Sequence, residues 1–160
     1  MNDMNDMKHD YPECYRTHVM KTLSNTFVFI ARSNCNRWDI LNRAIGGTAF
    51  SEIHHRGNPK YLNMGYLQLL ETIEFEDSFA WKSTQLSEAD KEIDETILLW
   101  EGKLLAYFQW KYNIDFQDWL KYESVRSIYD IFYPLHEASY DVASDKLYER
   151  YQYFKKGNTN

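Results

Sequence analysis

Apolar residues along this chain recur mostly at steps of three and four, the spacing that places them on one side of a helix. The longest such stripe is Ile93, Ile97, Trp100, Leu104 and Phe108. Ser87, with Asp90 three residues on, is an acidic variant of the capping box, so a helix is predicted over about 88–112. Glu88, Glu92 and Glu95 fall on its opposite face. Gly102 lies in the middle of that helix, where glycine costs about 1 kcal/mol relative to alanine. Its presence implies a close approach by another helix, or a bend.

The same periodicity predicts further helices. One covers about 11–24, with Pro12 tolerated in its first turn, and one covers 37–45, with Trp38, Leu41 and Ile45 in register and Gly46-Gly47 ending it through positive φ. Asn58 caps a third, with Pro59 in its first turn; Leu62, Tyr66, Leu69 and Ile73 share one side, and Glu71 and Glu74 point away. Asp115 caps a fourth that Pro134 closes, burying Phe116, Leu120, Ile128, Ile131 and Phe132 on a side interrupted by Lys121. The last runs over about 140–156 with a Leu147, Tyr151, Phe154 stripe, Lys155 and Lys156 at the negative end of the dipole and Gly157 as the stop. Residues 26–31 suit either a short strand or a buried helical turn, while 51–58 and 75–86 read as connections. The expected fold is mostly α: a single compact domain over residues 11–157, of about five to six helices, with at most one short β element at 26–31. A flexible tail of Met-Asn-Asp repeats over 1–10 precedes it. Short links between helices favour antiparallel neighbours.

A length of 160 residues suffices for one core. The aromatic share of 17% is high, and Tyr and Trp pair an apolar body with a polar tip, so some of these rings are candidates for interface anchors as well as core. Cys14 and Cys35 are too few for a disulfide framework or a four-cysteine zinc site and fit reduced thiols. The polar N-terminus lacks the build of a signal peptide, and the longest apolar run, at 27–31, is too short to span a bilayer. The expectation is a cytoplasmic protein with no membrane contact.

Charge changes the picture more than composition does. Residues 71–101 hold ten acids (Glu71, Glu74, Glu76, Asp77, Glu88, Asp90, Glu92, Asp94, Glu95 and Glu101) against only Lys82 and Lys91. The flanking segments are close to neutral, so this one stretch accounts for the net charge of −6. The helix dipole explains acids in a first turn. It does not explain Glu92, Asp94 and Glu95 continuing with few bases, since like charges at close helical spacing repel.

Catalytic patterns are sparse. No Glu-x-x-His spacing for a di-metal centre occurs, Gly46-Gly47-Thr48 lacks the lysine of a phosphate-binding loop, and no Gly-x-Ser-x-Gly elbow is present. The one polar constellation is Glu52, His54, His55 and Arg56 in the 51–58 loop. Arg32, Arg37, Arg43, Arg56 and Lys60 beside Trp38 and Tyr61 resemble a nucleic-acid surface, but the acidic whole, with pI ≈ 5.3, opposes direct binding of DNA or RNA. The expectation is therefore no catalytic residue, no metal and no cofactor. The leading expectation is a partner-binding surface of Glu71, Glu74, Phe75, Glu76, Asp77, Phe79, Trp81, Glu88, Glu92, Asp94 and Glu95, in which aromatics anchor a basic protein and carboxylates form the rim. By composition alone, with no shared motif, such a chain is similar in type to bacterial immunity proteins and antitoxins, which implies a basic nuclease toxin as partner. Two alternatives stand beside it: a phage anti-defence protein whose carboxylates imitate DNA phosphates, and an enzyme centred on the Glu52, His54, His55, Arg56 loop.

Overall fold

The structure, a computed structural model, describes residues 9–33, 37–47, 50, 52, 57–76 and 93–157. Among these the chain is helical throughout, with no strand: a short 3₁₀ turn at Glu13–Tyr15, then α1 (Arg16–Ser33), α2 (Arg37–Ile45), α3 (Pro59–Leu62), α4 (Tyr66–Glu76), α5 (Glu95–Tyr112), α6 (Phe116–Trp119), α7 (Val125–Tyr129), α8 (Phe132–Leu135) and α9 (Tyr140–Gly157). The mostly α expectation is met. The β alternative for 26–31 is not: these residues lie in α1, where Leu23, Phe27 and Ile30 are wholly buried at helical spacing. β-Branched and aromatic side chains here serve tertiary packing, which outweighs local propensity.

α5 is the axis of the molecule. Its apolar residues are not confined to the predicted stripe, because Leu98, Leu105 and Ala106 on the other side are fully buried too. A helix buried over most of its circumference must be covered on several sides. α1 supplies the largest of its interfaces and α9 the next, through Ala143, Ser144, Leu147 and Tyr151. Gly102 is where α1 and α5 touch. A Cβ there would lie 2.5 Å from Ser24 Cα and 2.7 Å from Ser24 N, so only glycine lets the two backbones meet. Of the two readings of this glycine, close approach is the correct one. Beside the contact, the Ser24 hydroxyl donates to the Leu99 carbonyl at 2.7 Å.

Helix boundaries follow caps. Asp94, in extended conformation, accepts from Thr96 N at 2.9 Å, so α5 starts at Glu95 and the helix predicted over about 88–112 does not include 93–94. The predicted Ser87–Asp90 cap lies outside the described residues. Asn58 caps as predicted by accepting from Lys60 N, but α3 lasts one turn and Asn63–Gly65 separates it from α4. The predicted helix from Asp115 to Pro134 is three short ones. Asp115 caps α6, Ser124 and Ser127 cap α7 through a reciprocal capping box, and Pro134 sits inside α8 instead of closing a longer helix. α2 has the predicted bounds, although Gly46 does not end it with positive φ; it makes room for Leu120, whose Cδ1 would be 3.1 Å from a Cβ.

The ends of the described chain are fastened to this axis. His9 stacks on Trp110 with centroids 3.8 Å apart and its Nδ1 bonds to the Trp110 carbonyl. Asp10 accepts from Gln109 Nε2 at 2.6 Å, and Trp110 Nε1 donates to the Tyr11 carbonyl. On the other side, Lys111 lies between Asp141 at 2.8 Å and Asp145 at 2.6 Å, and Tyr112 donates to Asp145 while stacking on Tyr148. Hydrogen bonds from Lys111 and Tyr112 hold the Asp145 carboxyl below its ordinary value of 3.8. Burial, reinforced by the bond to Asp145, pushes the Tyr112 phenol up to about 12. Arg150 donates to both oxygens of the nearly buried Glu123, tying α9 to the turn before α7.

Candidate functional site

Of the residues expected to bind a partner, the structure places Glu71, Glu74, Asp94 and Glu95 with their side chains, and Phe75 and Glu76 by their backbone at the end of α4. Asp77, Phe79, Trp81, Glu88 and Glu92 lie outside the described residues, as do Asp90, His54, His55 and Arg56. Glu52 is described, and it bonds to Asn58 through both its carboxylate and its carbonyl.

The acids with described side chains divide into three kinds. Leu69, Leu70 and Ile73 bury one face of α4 completely, and the helical period turns Leu67, Glu71 and Glu74 together onto the other. Glu71 and Glu74 are exposed, and neither has a bonded counter-charge among the described residues. Leu67, one turn earlier, is 52% exposed. Asp94 is exposed but already committed to capping α5, and its own amide donates to the Tyr129 hydroxyl at 2.9 Å. Glu95 is neutralised: Arg32, at the end of α1, reaches its carboxylate at 2.7 Å with both ends of the guanidinium engaged.

Glu101 departs furthest from expectation. It has no exposed surface, and neither carboxylate oxygen has a hydrogen-bond partner among the described residues. Burial holds its carboxyl well above the ordinary value of 4.5, and the nearby Asp130 charge adds to the shift. One of the ten acids therefore contributes to the core and not to the surface field. Only its place between Trp100 and Leu104 could have signalled this in the sequence.

The described residues contain no group of three or more His, Cys, Asp or Glu side chains arranged to hold a metal ion. The described histidines bond to backbone carbonyls: His18 to Met64 at 3.0 Å, His136 to Tyr133 at 2.9 Å and His9 as above. No helix among the described residues is long and apolar enough to cross a membrane.

A second feature escaped the sequence reading. A cleft of about 450 Å³ opens between α1 and α5 beside the Gly102 contact, with Lys21 and Lys103 on its walls. The available signal was Lys103 itself, a charge set between the apolar residues Trp100 and Leu104 of α5.

Helical packing of these elements defines an all-α domain. No family model, curated protein or solved structure matches this chain.

Proposed function

We propose that this protein is a binding protein of the immunity or antitoxin type, which captures a basic protein, a nuclease toxin in the leading reading, and occludes its working surface. The observation that supports the reading best is the outward face of α4. It presents an exposed Leu67 in line with Glu71 and Glu74, two carboxylates without a bonded counter-charge among the described residues. An exposed apolar side chain beside charge offers a contact that a partner can bury, with the carboxylates at its edge. Carboxylates of this kind accelerate encounter with a cationic surface and reject acidic ones. The Arg32–Glu95 pair lies outside this role, since its charge is already spent within the molecule.

The test is binding to purified basic nuclease toxins, those of neighbouring genes first, by titration at low and physiological salt. Affinity is expected to fall as salt rises. Replacing Leu67 with Ala, or both Glu71 and Glu74 with Lys, is expected to weaken binding at least about tenfold without lowering the melting temperature, because all three side chains are exposed. Undiminished affinity in the charge-reversed protein would refute an α4 docking face. Competition by duplex DNA for the same partner surface would favour phosphate mimicry over toxin neutralisation.

A further inference from the structure

The cleft between α1 and α5 carries the opposite charge from the rest of the molecule. α1 and α5 are pinned together at Ser24 and Gly102, and the space beside that contact is left open instead of being filled by side chains. Its volume of about 450 Å³ falls within the range of small-molecule sites. Acids outnumber bases by 24 to 18 in this chain, and several of its described cations are paired with carboxylates. Arg32 has Glu95, Lys111 has Asp141 and Asp145, Lys121 and Lys155 share Asp118, and Arg150 has Glu123. Lys21 and Lys103 have no carboxylate within reach among the described residues, and no acid lines the cleft they flank.

The remaining wall chemistry narrows what such a cleft accepts. Met20, Leu99 and the Tyr140 ring give it an apolar side. The Ser24 hydroxyl is spent on the Leu99 carbonyl, whereas Thr17 and Asn25 offer a hydroxyl and an amide beside Lys21. Two ammonium groups beside an apolar wall suit a molecule with an anionic head and a compact apolar body. Each lysine acts as a point charge, so the head can be a carboxylate or a phosphate monoester.

We propose that the α1–α5 cleft is a binding site for a small amphiphilic anion, held by Lys21 and Lys103 at its head and by Met20, Leu99 and Tyr140 along its body. The proposal is independent of α4: it concerns a different face and the opposite sign of charge. Isothermal titration of the full chain with phenyl phosphate, octanoate, inorganic phosphate and benzyl alcohol tests it. Phenyl phosphate or octanoate is expected to bind at least tenfold more tightly than either inorganic phosphate or neutral benzyl alcohol, and which of the two binds better identifies the head group. The double variant K21Q/K103Q is expected to lose at least tenfold in affinity while keeping its helical signal. Amide shifts on titrating the unaltered protein are expected to centre on Thr17, Met20, Asn25 and Leu99, a readout that does not depend on the variant folding. Lack of binding by both amphiphilic anions at millimolar concentration, amide shifts elsewhere, or affinity preserved in a folded K21Q/K103Q protein would overturn the proposal.

Discussion

Replacing Gly102 with alanine is expected to destabilise the protein by roughly 2–3 kcal/mol, although alanine is the better helix former. Propensity alone favours the substitution by about 1 kcal/mol. Against it stands the backbone of α1: the new Cβ would lie 2.5 Å from Ser24 Cα, 2.7 Å from Ser24 N and 3.0 Å from the Leu23 carbonyl carbon. None of these atoms can rotate away as a side chain would. α1 must therefore retreat along its contact with α5, loosening the wholly buried Leu23 and Phe27 and stretching the bond from Ser24 to the Leu99 carbonyl. Shortening Ser24 to glycine gives little relief, because the obstructing atoms are Cα and N. Urea denaturation checks the prediction, with Gly65→Ala as control, since a Cβ there meets nothing within 4 Å. A Gly102→Ala protein as stable as the parent would mean that the helices do not touch at this point.

The second large effect has the opposite sign. Glu101→Leu is expected to stabilise the protein at pH 7 by about 1–3 kcal/mol, the cost of a buried polar group left without partners. The pH dependence identifies the cause. Glu101 has a folded-state pKa raised above its ordinary 4.5, chiefly by burial. Above pH 4.5 the unfolded chain has released a proton that the folded chain still holds, so stability is full below that point. It declines as pH rises toward the raised value, by about 1.4 kcal/mol per pH unit for one proton. The Leu variant removes this decline. Asp118 and Asp145 behave conversely: the Tyr151 hydroxyl bond for the first, and the Lys111 and Tyr112 bonds for the second, lower their pKa values below 3.8. Their contribution is present above that value and is lost as pH falls through the lowered ones, in parent and variant alike. Glu101→Gln is expected to flatten the alkaline side as well, with a smaller gain, because it buries an amide without partners. If urea midpoints between pH 5 and 9 run parallel for parent and Glu101→Leu, the buried acid is not the source.

These particulars show what the one-dimensional pattern carries and what it omits. α2 and α9 were legible because each has a clean stripe along its length, Arg37–Ile45 and Tyr140–Gly157. The breaks at Asn63–Gly65 and at 120–123 were not, because the apolar spacing continues across them while the backbone stops to cap anew at Ser124. For α5 the stripe was correct and incomplete; Leu98, Leu105 and Ala106, read as a second apolar face, would have marked it as the central helix. The acidic segment stands out in the sequence, and the exposure of Glu71 and Glu74 follows from helical period alone. That Arg32 neutralises Glu95 across 63 positions is tertiary information, as is the meeting of Lys21 and Lys103 at one cleft. Pairing of distant residues leaves no periodic trace.

The dependence of α1 on α5 also bears on how the chain is made. Synthesis releases Leu23, Phe27 and Ile30 long before the residues that will cover them, from Ile97 to Phe108, have left the ribosome. At roughly 5–20 residues per second that interval lasts several seconds. Throughout it α1 has only its smaller contacts with α2 and α4, so the larger part of its apolar surface stays open to chaperones until the axial helix arrives to cover it.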